Sequence, residues 1–120
     1  MKGAMLFAAG LMVGIATHIG WAQGQSVGMM NHVGINVPNI TEAIAYYTQK
    51  MGYREAFRVT DAAGQPTLVY LHVGRDTFLE LGQANTDRPA GFTHYGLHVE
   101  NIAATVATFT QRGITVSGVN

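Results

Sequence analysis

At 120 residues the chain is long enough for one small domain. Seven basic side chains balance seven acidic ones and charged residues are only 12% of the chain, so no electrostatic grip on nucleic acid is expected. The absence of cysteine excludes disulfides, thiolate metal sites and a cysteine nucleophile.

Residues 1–22 differ in character from the rest. Lys2 is the only charge before Glu42, and Ala4–Ala16 is an uninterrupted run of small and apolar residues. Gly20-Trp21-Ala22 then supplies a small-x-small exit, which is the order of a secretory signal peptide. The apolar run falls short of the ~20 residues that span a bilayer comfortably. Cleavage between Ala22 and Gln23 is therefore expected, with a secreted or periplasmic product that is not inserted in the membrane. Residues 23–30 read as a flexible lead-in.

From His32 to Val37 alternate residues fall on opposite faces of a predicted strand over 31–37. Val33, Ile35 and Val37 form an apolar face, and His32, Gly34 and Asn36 form the other. Asn39 is placed to cap a helix over 40–51, with Glu42 three residues on as the partner of a capping box. Ile40, Ile44, Tyr47 and Met51 form one stripe of that helix. Further strands are expected over Tyr53–Thr60 and Thr67–Val73. A tight connection at Gly74-Arg75 leads into a last one over Asp76–Gly82. The polar linker Gln83–Gly91 follows.

The chain then repeats its opening. At an offset of 62, residues 32–49 and 94–111 agree at eight of eighteen positions, among them His32/His94, Gly34/Gly96, Val37/Val99, Asn39/Asn101 and Ile40/Ile102. Such a match, carrying the same strand and helix, reads as an internal duplication. A second strand over 92–99, a helix over 102–112 and the opening of another strand at Ile114–Val119 are predicted. Each helix is expected to cover the apolar face of its own strand, Val33/Ile35/Val37 and Tyr95/Leu97/Val99. The two histidines then look out from the other side of the sheet.

Glu80 joins them. In Thr77-Phe-Leu-Glu-Leu81 the leucines take one face, while Phe78 and Glu80 take the other. A carboxylate facing a concave sheet is costly unless it is paired or bound to metal. Two imidazoles and one carboxylate form a ligand set for catalytic zinc or for iron(II) with open positions. His32, Glu80 and His94 are thus candidate metal ligands, with Glu80 also a candidate for moving a proton. Asn36, Phe78 and His98 are candidates to line the cavity or support the ligands.

A duplicated β-α-β-β-β unit, with His32 and His94 on the first strand of each copy and Glu80 in Phe-Leu-Glu-Leu, resembles the vicinal oxygen chelate superfamily. That group includes glyoxalases, extradiol dioxygenases and bleomycin-resistance proteins. The resemblance covers about residues 30–120 and implies an α+β fold of paired βαβββ modules, here 31–82 and an incomplete 92–120. It implies one divalent ion (zinc, nickel, manganese, iron or cobalt) on His32, Glu80 and His94, a fourth family position lying beyond Asn120. It also implies a small-molecule substrate. The incomplete second module would leave an open sheet edge and uncovered apolar surface, so a homodimer is expected. The expected activity is that of a glyoxalase-like lyase or isomerase acting on vicinal oxygens. An iron(II) extradiol dioxygenase, with His98 as added acid or base, and a non-catalytic binding protein are the alternatives.

Overall fold

The turn out of the first strand shows how local chemistry sets the architecture. Asn39 ends the strand, and its side-chain oxygen accepts the Glu42 backbone N–H at 3.2 Å, satisfying one of the donors that a helix start leaves open. Gln83, from a distant strand, accepts the Ile40 N–H at 3.0 Å and donates to the Pro38 carbonyl at 2.9 Å. One side chain thereby pins the strand-to-helix turn to the sheet.

The computed structural model describes residues 28–118. The expected signal segment with its Ala22–Gln23 junction lies outside these residues, as do most of the lead-in and Val119. Described in chain order are β1 (Met29–Val37), α1 (Ile40–Gln49), β2 (Arg54–Thr60), β3 (Pro66–Gly74), β4 (Thr77–Gln83), β5 (Gly91–His98) and α2 (Ile102–Gln111). The strands form one sheet in the order β2-β3-β4-β1-β5. β1 runs parallel to β4 and antiparallel to β5, and the remaining pairs are antiparallel. This is the expected α+β architecture, with one complete βαβββ unit and the β-α opening of a second. No described helix is long and apolar enough to cross a membrane.

The core lies under α1. Ile40, Val69, Leu71 and Leu81 are buried, with Ile35, Val37, Ile44, Tyr47 and Leu79 packed against them. The alternation read in β1 and β4 is therefore correct: the valine, isoleucine and leucine positions face the helix, and the histidine and glutamate positions face away. Burial of these aliphatic side chains is the main favourable term holding the unit together.

The second unit departs from expectation. α2 forms at the predicted residues and is capped by Asn101, which accepts from the Ala104 N–H at 2.9 Å, yet it buries no residue. Tyr95 is 59% exposed and Leu97 41%. The reason is topological: α1 rests on β1, β3 and β4 together, whereas β5 is the last strand on its side among the described residues. A single strand offers no floor for a helix stripe. Residues 114–118 likewise form no strand, because among the described residues no neighbouring strand supplies hydrogen bonds to them. β1 also begins two residues earlier than predicted, since Met29 and Met30 pair with His98 and Leu97.

Leu71→Ala or Leu81→Ala should destabilise the protein by about 2–5 kcal/mol, the cost of a cavity in a packed core. Tyr95→Ala should change stability by less than about 0.5 kcal/mol, as at other exposed positions. Urea unfolding followed by circular dichroism measures both.

Candidate metal centre

Sheet register assembles the site. Phe57 on β2 pairs with Tyr70 on β3, Tyr70 with Glu80 on β4, Glu80 with Gly34 on β1, and Gly34 with His94 on β5. One row across five strands therefore carries Phe57, Tyr70, Glu80, Gly34 and His94. The next row carries His72, Phe78, His32 and Gly96. Residues aligned across neighbouring strands share a face, so all these side chains project from the side opposite α1.

The glycines have a reciprocal role. His32 stands opposite Gly96, and His94 opposite Gly34. A methyl group on Gly34 would lie 2.6 Å from Cε1 and 2.7 Å from Nδ1 of His94, and one on Gly96 would lie 2.5 Å from Nδ1 of His32. Each copy of the His-x-Gly motif thus supplies one imidazole and clears the space for the other copy's ring. The duplication made both residues visible in the sequence, but only the antiparallel register gives the glycines their meaning.

Three acceptor atoms converge above this row. His32 Nε2 and His94 Nε2 are 3.0 Å apart, and Glu80 Oε2 is 3.5 Å from each. Atoms at those separations lie on a circle of radius about 1.9 Å, so bonds of about 2.0–2.2 Å to one ion reach all three. Among the described residues these are the group placed to hold a metal ion. Two imidazole nitrogens and a carboxylate oxygen this close also repel unless a cation or proton lies between them. The donor set and its spacing therefore fit a divalent ion, which three protein ligands leave with coordination positions to fill.

Tyr70, which sequence reasoning overlooked, completes the cluster. Its hydroxyl donates to Glu80 Oε2 and lies 3.4 Å from His32 Nε2. Burial and the Glu80 carboxylate push its pKa up to about 12. At neutral pH it is therefore a donor that orients Glu80, and not a base. The signal was present in the alternation of Thr67–Val73, where Tyr70 and His72 share a face. Its use depended on the β3–β4 register. Phe57 stacks on Tyr70 with ring centroids 4.6 Å apart, extending the polar cluster into an aromatic wall.

The other candidates divide. Phe78 lies beside His32 in register and packs edge-on with His72 at 5.5 Å. His72 shares the site's face, with its Nε2 2.5 Å from the Arg75 carbonyl in the hairpin turn. Asn36 is on the same face but leans over Gly82 and donates to the Pro89 carbonyl at 3.3 Å, away from the metal cluster. His98 pairs with Met29 at the far end of β5 and is not brought to the cluster. It lines a hollow of about 610 Å³ with Met29, Met30, Arg75 and Phe78.

Fold and site together define a protein of the vicinal oxygen chelate class. The chain belongs to the Glyoxalase/Bleomycin resistance protein/Dioxygenase superfamily, whose pattern matches residues 31–120. Its fold is similar to that of a methylmalonyl-CoA epimerase (TM-score 0.59, 21% identity, covering 75% of this chain and 74% of that one). It is also similar to the epimerase from Mycobacterium tuberculosis (TM-score 0.61, 19% identity, 75% and 68% covered). A hypothetical protein from Bacillus halodurans C-125 shares the fold as well (TM-score 0.58, 17% identity, 73% and 70% covered). No curated protein matches the chain significantly.

Two outcomes test this geometry. Gly96→Ala should leave the protein folded but displace the His32 ring, seen in a crystal structure or as changed imidazole chemical shifts. Tyr70 should ionise at about 12 in a spectrophotometric titration, with Glu80→Gln moving it back toward its ordinary value. Because its folded pKa lies above the unfolded value of about 10, its stabilising contribution is complete below pH ~10. It is lost as pH rises from there to about 12, which pH-dependent unfolding records.

Proposed function

We propose that this chain is a metal-dependent enzyme of the glyoxalase type, a lyase or isomerase. Its substrate would be a small molecule that chelates the ion through two vicinal oxygens. The observation that carries the reading is the triangle of Nε2, Nε2 and Oε2 atoms at 3.0 and 3.5 Å. A divalent ion held by His32, Glu80 and His94 would supply Lewis acidity toward a carbonyl or enediolate. Zinc, nickel, manganese, iron and cobalt are all compatible with this donor set.

The chain's own groups define what else the site does. Glu80 is the carboxylate at the reacting face, so it is the group that takes and returns a proton at a carbon next to a polarised carbonyl. Tyr70 holds Glu80 Oε2 from the side and stays protonated while it does so. Phe57, Tyr70 and Phe78 form a wall that limits water on one flank of the substrate. The names of the similar structures support the isomerase side of the proposal, since an epimerase moves a proton at one carbon. The position of His98 at the end of β5 speaks against the dioxygenase reading, which called on it as an acid or base. A homodimer is part of the proposal: Phe92 at 67% exposure, Tyr95, Leu97 and Ile102 form an apolar surface around β5 and α2 of the kind that marks association sites.

The purified protein, stripped with chelator and reloaded, should bind one divalent ion per chain by metal analysis. It should also incorporate solvent deuterium into a 2-oxo or 2-hydroxy acyl substrate. His32→Ala, His94→Ala and Glu80→Gln should abolish stoichiometric binding, a larger loss than the about 10–100-fold expected of supporting residues. His98→Ala should retain it. Absence of stoichiometric metal in the wild type would leave the binding-protein alternative.

A further inference from the structure

The two histidines differ in their surroundings but share one device. At each copy of the motif the strand pairing slips by one residue. Met30 pairs with Leu97 and His32 with Gly96, leaving Asn31 as the extra residue on β1. Gly34 pairs with His94 and Ile35 with Phe92, leaving Thr93 as the extra residue on β5. Positions 31 and 93 are equivalent under the 62-residue repeat, so the duplication carries the bulge as well as the histidine. A bulge re-aims the side chains around it. Here it sets the residue before each histidine alongside the imidazole instead of on the opposite face.

The contact made in each case is the same. Asn31 Oδ1 lies 2.9 Å from His32 Nδ1, and Thr93 Oγ1 lies 2.9 Å from His94 Nδ1. The Asn31 amide is itself oriented, because its Nδ2 donates to the Asp76 carbonyl at 3.2 Å in the β3–β4 turn. Its oxygen is therefore the atom turned to His32, and an oxygen there accepts the Nδ1–H. Both residues present an oxygen at the same point, but the amide oxygen of Asn31 only accepts, whereas the Thr93 hydroxyl can accept or donate.

We infer that Asn31 and Thr93 are positioning residues that hold the two imidazoles with both Nε2 atoms at the centre of the site, Asn31 fixing His32 as the Nδ1–H tautomer. The proton carried by one ring nitrogen is set by the partner of the other. With the His32 Nε2 lone pair free, the 3.0 Å Nε2–Nε2 contact of the metal-free protein is a hydrogen bond donated by His94. The His94 Nδ1 then accepts from the Thr93 hydroxyl, which can equally accept and so keeps the ring in place when a metal displaces the Nε2 proton. The inference rests on the metal-site reading for its purpose, but the tautomers exist in the metal-free protein and are measured there.

The experiment is long-range proton–nitrogen correlation NMR on the metal-free full chain at pH 8, with zinc titration in parallel. His32 should show a protonated Nδ1 and an unprotonated Nε2, and His94 the reverse until zinc is bound. Thr93→Val should weaken zinc binding about 10–100-fold, the range for residues that support a ligand. Thr93→Ser should restore it. Thr93 is the cleaner affinity test because its side chain is exposed and its oxygen bonds to His94 alone among the described contacts. Asn31→Leu should free His32 to take the Nε2–H tautomer, and Asn31→Asp, which keeps an acceptor oxygen, should rescue. A wild-type protein with Nε2–H at His32 would overturn the inference. So would a Thr93→Val protein that keeps its zinc affinity. A His32 tautomer that responds to Asn31→Leu, in a protein that binds no zinc, would uphold the positioning role and remove the metal-site reading instead.

Discussion

The antiparallel pairing of β1 with β5 is the contact on which the site depends, because it turns a sequence repeat into a two-fold relation in space. A residue of β1 and a residue of β5 face each other when their numbers sum to a fixed value near the centre of the pair. His32 meets Gly96, and Gly34 meets His94. The two imidazoles therefore cross the strand boundary diagonally, each over the other copy's glycine, and their Nε2 atoms come together. Parallel pairing of the same two strands would have left them side by side with no shared centre. The adjacent parallel pairing of β1 with β4 then sets Glu80 beside Gly34, in the same row. Two strand pairings of opposite sense thus deliver three ligand atoms to one point.

The site is asymmetric in its support. His32 and Glu80 stand on strands backed by α1 and the buried leucines, and their side chains are 16% and 15% exposed. His94 stands on β5, and its side chain is 48% exposed. Ordering an exposed side chain carries an entropy cost that a buried one has already met in folding. The hydrogen bond between His94 and Thr93 and the close fit over Gly34 are the features that hold it in place. Tyr70 does the corresponding work for Glu80, and Asn31 for His32. Each of the three converging groups thus has its own partner, on a different strand or at a bulge.

This arrangement also explains why the polar face tolerates a carboxylate and two imidazoles over an apolar sheet. Glu80 is compensated by the Tyr70 hydroxyl and by its nearness to two groups able to carry or share positive charge. The physics that makes the cluster costly to assemble is the same physics that makes a bound cation favourable there.

Much of this was legible in the amino-acid order. The repeat located both histidines, the two-residue alternation placed Glu80 on their side of the sheet, and Asn39 and Asn101 marked both helix starts. These are local signals, fixed by strand and helix periodicity. Pairing between distant strands was not legible, and apart from the convergence of His32, Glu80 and His94 the features that depended on it were missed or incomplete. Tyr70 is unremarkable until β3 lies beside β4, and Gly34 and Gly96 until β1 lies antiparallel to β5. Asn31 and Thr93 look like ordinary alternating strand residues until a bulge turns them. The packing of α2 was misjudged for the same reason. Its stripe is a property of the sequence, but a floor to bury it on is a property of the sheet, and β5 alone does not provide one. Side-chain periodicity determines which face a residue takes; only hydrogen-bonded register across strands determines what it meets there.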